Sequence, residues 1–85
     1  MPTLADLAPG QSAEILSLSG DPALVQRLYD FGLLEGERVA VVALAPLGDP
    51  IEISLGNSRL SLRKADAAGI EIKAEGGGWK ADEKT

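Results

Sequence analysis

Two five-residue alternations flank a Gly-Asn pair: I-E-I-S-L over Ile51–Leu55 and R-L-S-L-R over Arg59–Arg63, with Gly56-Asn57 between them. A period of two puts Leu60 and Leu62 on one face, and the Gly-Asn pair predicts a tight hairpin turn. The hairpin follows a stiff loop from Pro46 to Pro50. Before that loop, the Val-rich segment Arg38 to Ala45 predicts a further strand, apolar enough to be covered on both faces. A chain with three consecutive short strands must curl the sheet or cover it to bury its apolar face.

The flanking segments supply the cover. Thr3-Leu4-Ala5-Asp6 predicts a capped helical turn, with Thr3 as N-cap and Asp6 at N3, and Pro9-Gly10 ends it. Gln11 to Leu18 predicts the first strand; alternation alone fits either face as the inward one, and Ile15 is the choice for the core. Asp21-Pro22 is a helix start with proline at N1, and Leu24, Leu28 and Phe31 follow at the spacing of one buried stripe, widened by Val25. Gly32 then predicts a left-handed C′ residue, with Leu33 supplying the accompanying apolar contact. Glu35-Gly36 reads as a turn, Lys64 to Ala68 as a helical turn ended by Gly69, and Ile70 to Ile72 as a last strand. The expected fold over residues 1–73 is mainly β: a small barrel of about five strands with a short inserted α-helix. Residues 74–85, with three consecutive glycines and a charged end, are expected to form a flexible tail.

Composition narrows the chemistry. Apolar residues make up 45% of the chain and aromatics 4%, so the core is aliphatic, with Leu28, Ile53, Leu60 and Leu62 among its members by spacing. There is no Cys and no His, hence no disulfide, no thiolate chemistry and none of the preferred ligands of zinc. Neither a nucleophile–base pair nor a phosphate-cradling loop can be assembled, so no enzyme and no cofactor is expected. The net charge of −5 speaks against nucleic acid as a partner. Acidic residues dominate positions 1–37, where Arg27 stands alone, and Arg59, Arg63, Lys64 and Lys73 dominate positions 57–73. The longest apolar run, Val39 to Leu47, is too short to span a bilayer, and no signal-peptide pattern opens the chain. A soluble cytoplasmic protein is expected.

The segment R-L-Y-D-F-G-L-L-E-G-E (Arg27–Glu37), the run A-P-L-G-D-P-I (Ala45–Ile51) and L-R-K-A-D-A before a final I-E-I resemble the FeoA family, over residues 3–73. The resemblance implies an SH3-like barrel. It also implies a small cytoplasmic accessory protein of bacterial ferrous iron uptake that docks on the cytosolic part of FeoB, a membrane transporter with a GTP-binding domain, and modulates transport or assembly. Two alternatives stand beside it. One is direct regulation of the transporter's GTPase cycle, with Arg27, Arg59 or Arg63 supplied in trans. The other is a weak ferrous-iron sensor or carrier using Asp49, Glu52 and neighbouring carbonyls.

For a docking role the candidate residues are Leu33, Leu34, Leu44, Pro46 and Leu47, which sit at element ends where not all can reach one small core. Exposed together, they would form an apolar partner surface. The structural alternative has Leu33 stapling the helix end and Leu47 folding over the barrel. Arg63, within L-R-K, could meet an acidic partner, although Arg27, Asp30, Arg59 and Arg63 equally suit an ordinary charged face. Trp79, after the glycine run, could anchor in a partner's pocket or be inert. Gly32, Gly36 and Gly56 have a sufficient explanation in backbone geometry.

Overall fold

A computed structural model describes residues 2–74. After a 3₁₀ turn at Leu4–Asp6 come β1 (Ser12–Leu18), α1 (Pro22–Phe31), β2 (Arg38–Leu44), β3 (Ile51–Leu55), β4 (Ser58–Leu62), α2 (Lys64–Ala67) and β5 (Ile70–Ala74). The strands form one antiparallel sheet in the order β4-β3-β2-β1-β5. β2, β3 and β4 are a meander built from sequence neighbours. β1 joins it to β5, pairing with β2 only over Ser12–Glu14 and with β5 from Ala13 to Leu18, across a register shift between Ile15 and Ser17. This split pairing curls the sheet around its own aliphatic face.

That face is the core. Ala13 and Ile15 of β1, Val39 and Val41 of β2, Ile51 and Ile53 of β3, Leu62 of β4 and Ile70 and Ile72 of β5 are buried by alternation. Leu4 and Leu7 cover them from the N-terminal turn, Ala67 from α2, and Leu28 and Leu33 from the end of α1. The described residues include no buried polar or charged side chain. A domain this small draws its stability from such aliphatic contacts, each large residue contributing on the order of 1.5–3 kcal/mol by burial.

The local start and stop signals act where the spacing predicts, with one exception at Asp21. Thr3 begins the first turn in the expected capping box with Asp6: the Thr3 N–H donates to the Asp6 carboxylate at 2.8 Å, its hydroxyl donates to the same carboxylate at 3.4 Å, and the Asp6 N–H donates to the Thr3 carbonyl at 2.9 Å. Pro22 opens α1, yet the Asp21 side chain makes no capping bond. The helix ends at Gly32 with φ 112°, where the Gly32 N–H bonds back to Leu28 and Tyr29 and the Leu33 N–H donates to the Leu28 carbonyl at 2.9 Å. The stripe itself is narrower than periodicity implies: Leu28 is buried, Leu24 is half-buried, and Phe31 is left 39% exposed. The helix has reached the rim of the sheet by that residue, and no described residue covers the ring's outer side.

Gly56, at φ 60°, takes the first central position of the β3–β4 turn, the position a type II′ hairpin reserves for glycine. β5 runs on to Ala74, two residues beyond the expected end, because Lys73 and Ala74 continue the ladder with Glu14 and Ala13.

Candidate interaction surface

The apolar residues at element ends fall into two groups rather than one patch. Leu33 belongs to neither: the left-handed turn at Gly32 folds it under the helix end, where it is 0% exposed. The docking role considered for Leu33 is therefore corrected to a core role. Leu34 is 44% exposed and precedes the turn to β2, its carbonyl accepting from the Glu37 N–H at 3.0 Å. Leu44, Pro46 and Leu47 lie at the other end of β2, about 20 Å away along a seven-residue strand at ~3.3 Å per residue. Leu47 is 94% exposed and does not fold over the barrel.

Arg63 belongs with this second group. Leu44 pairs with Ile51, and Ile51 pairs with Leu62, so Arg63 follows directly at the loop end of the sheet. The loop is tied there by the Asp49 carboxylate, which accepts the Lys64 N–H at 2.8 Å. Arg63 and Lys64 both remain exposed. The loop end thus combines three exposed apolar residues with two cations on a braced scaffold, a composition suited to a partner surface. Trp79 lies outside the described residues.

Beside the C-terminal half of β4, next to Arg63, the structure brings together residues far apart in the sequence. Arg27, Leu28, Asp30 and Phe31 of α1 face Leu60, Ser61 and Leu62 of β4 across an apolar groove of about 330 Å³. The helical spacing predicts Phe31 in the core, and the structure places it on the groove, 39% exposed. Arg59 lies 3.6 Å from Glu52 and stays 65% exposed, a surface pair of small energetic weight. Nearby, the Tyr29 hydroxyl donates to the Glu35 carboxylate at 2.7 Å. That bond pushes the phenol above its ordinary pKa and holds the carboxyl below its own.

The carboxylates considered for iron are engaged: Asp49 by the Lys64 amide and Glu52 by Arg59. Among the described residues no group of three or more acidic, His or Cys side chains could hold a metal ion, and no helix is long and apolar enough to cross a membrane.

Comparison with known proteins agrees with this architecture. The FeoA domain family matches residues 3–74. The Fe(2+) transport protein A/Fe(2+) transporter FeoB fusion protein of Porphyromonas gingivalis (strain ATCC BAA-308 / W83) is 34% identical over 70 residues, which is 82% of this chain and only 8% of that protein. The solution structure of FeoA from Chlorobium tepidum is 37% identical, with a TM-score of 0.85 over 92% of this chain and 74% of its own. The zinc-complexed FeoA of Stenotrophomonas maltophilia, described as a procaryotic SH3 domain protein, is 30% identical with a TM-score of 0.76, over 86% of this chain and 91% of its own. Five antiparallel strands, the helix inserted between β1 and β2 and the match over residues 3–74 give one conclusion: the chain belongs to the FeoA family, small SH3-like proteins linked to ferrous iron transport.

Proposed function

We propose that this chain is a docking module that binds the cytosolic part of a FeoB-like ferrous iron transporter and modulates its transport or assembly. The fusion carries the proposal: in the Porphyromonas gingivalis relative a FeoA segment and a FeoB transporter share one polypeptide. Covalent linkage holds two modules at an effective concentration in the millimolar range, which is of use only where they touch. This chain's contribution would be the loop end of the barrel. Leu44, Pro46 and Leu47 provide apolar contact there, Pro46 and Pro50 limit the ordering cost of the loop, and Arg63 and Lys64 flank it.

The test is binding of the full chain to the detergent-solubilised transporter in nucleotide-free, GDP and GTP-analogue states. Leu47→Asp, at an almost fully exposed position, is expected to fold normally and to weaken binding by about tenfold, or ~1.4 kcal/mol. Undiminished binding of the variant would move the site off the loop. If the unaltered chain binds in no nucleotide state, the docking reading fails.

A further inference from the structure

A sheet of this kind has two edges, each a row of main-chain donors and acceptors open to pairing. The β5 edge is closed from within: the Ile72 N–H donates to the Pro2 carbonyl at 3.1 Å, and Thr3 bridges Glu71. The β4 edge is open. With a two-residue turn, Leu55–Ser58, Ile53–Leu60 and Ile51–Leu62 are the pairs that exchange bonds with β3. Arg59 and Ser61 therefore turn their N–H and C=O groups outward, and no described residue meets them. The α1–β4 groove opens beside the same strand, with Ser61 on its lining and Phe31 and Leu60 forming its apolar wall.

Charge selects what can be added there. Residues 55–65 carry Arg59, Arg63 and Lys64 and no acidic residue, and Arg27 stands across the groove with Asp30 as the single acidic side chain of the lining. Glu52 near Arg59 leaves that guanidinium largely exposed. This is a basic edge on a chain of net charge −5. A second copy of β4 would set the arginines against one another, and like charges on paired strands destabilise the pair. An extended acidic segment would match both the charge and the open backbone.

We infer that the β4 edge takes up an extended, acidic segment of a partner protein by strand addition, with one apolar side chain of that segment in the groove between α1 and β4. Main-chain bonds to Arg59 and Ser61 provide the pairing, the groove reads alternate side chains, and Arg27, Arg59 and Arg63 read charge. The added strand would run towards Arg63 and the exposed loop, making one continuous contact. The inference deepens the docking reading, on which it rests for the partner's identity.

The probe is a terminally blocked peptide of sequence E-V-E-F-E-V-E, titrated into the full ¹⁵N-labelled chain and followed by amide chemical shifts. Two controls accompany it, one with lysine in place of glutamate and one N-methylated at alternate amides. Saturable shifts at Arg59, Ser61 and Phe31 are expected, absent with the lysine peptide and at least about tenfold weaker in affinity with the N-methylated one. Ser61→Pro removes an outward N–H without touching the β3 ladder and should weaken binding comparably. Should that variant not fold, the N-methylated peptide carries the same test on the unaltered chain.

The inference is overturned by an absence of saturable shifts, by equal binding of the N-methylated peptide, or by shifts confined to the Leu44–Leu47 loop. It is also overturned if the edge amides shift on raising protein concentration alone, which would make a second copy the occupant. The intact transporter separates the two readings. Equal binding of the Ser61→Pro and unaltered chains to it would reject the edge and keep docking; peptide binding at the edge with no transporter binding would do the reverse.

Discussion

The two edge strands of this sheet differ in what lies beside them. β5 is covered by the N-terminal segment, which lends it a main-chain bond from Pro2 and a bridge from Thr3, and which lays the buried Leu4 over the core. β4 has only a half-buried leucine, an exposed phenylalanine and a set of cations for company. A closed edge costs nothing in specificity but can do nothing except hold the fold. An open one must be guarded against pairing with the wrong strand, and like charge is a common guard. In this protein stability and recognition therefore occupy opposite borders of one sheet.

The contrast can be broken most severely on the closed side. Leu4→Ala should cost about 2–5 kcal/mol, a large share of the stability of so small a domain, and should speed hydrogen exchange at the Ile72 amide. Phe31→Ala on the open side should cost less than about 1.5 kcal/mol, since part of the ring is already in water. Urea titrations of the two variants give the comparison directly. Equal losses would mean that the groove is structural and the asymmetry of the edges false.

Gly69→Ala tests the closed side at a second point, with an intermediate effect. A Cβ there would lie 2.5 Å from the Ser19 carbonyl oxygen, in the tight passage where the Ser19 N–H and hydroxyl both donate to the Gly69 carbonyl. The strand entry must shift, and about 1–3 kcal/mol of stability should go with it. A melting temperature indistinguishable from that of the unaltered chain would show the passage to be looser than its distances.

The smallest effect belongs to the Tyr29–Glu35 bond near the open side. Glu35 has its pKa lowered in the folded state, so its contribution is present above the carboxyl's ordinary value of 4.5 and is lost as pH falls through the folded value. Tyr29 has its pKa raised, so its contribution is present below 10.0 and is lost as pH rises through the folded value. Both groups are exposed enough that stability should hardly change with pH on their account. Carboxyl chemical shifts are the sensitive measurement: the Glu35 midpoint should move up in Tyr29→Phe, and an unmoved midpoint would rule out the bond in solution.

Much of the fold was legible because its signals are local. The hairpin at Gly56-Asn57, the proline-led start of α1 and its glycine stop depend on residues within one turn of each other, and each stands where spacing put it. The candidate surface was less legible, for three separate reasons. Leu33 and Leu34 are adjacent and alike, and only the direction taken by the chain after Gly32 decides that one is buried and the other exposed. Leu34 and Leu47 are both exposed, but the whole of β2 lies between them, so no single patch forms. Phe31 continues a regular stripe along α1, and nothing in helical period says where the underlying sheet stops. The open edge of β4 was readable in principle, since a two-residue turn sets which backbone groups face β3. That the other edge is closed was not, because the Thr3–Glu71 bridge joins opposite ends of the described chain.

The split pairing of β1 also bears on the order in which the molecule assembles. β2, β3 and β4 are joined by short connections and can pair as soon as they exist, whereas the Ser17–Glu71 contact of β1 with β5 spans 54 residues. Closing the longer loop has the larger entropy cost and waits on the meander to make it worthwhile. In a chain made from its N-terminus, β1 must therefore wait through the synthesis of every other strand before its second neighbour arrives.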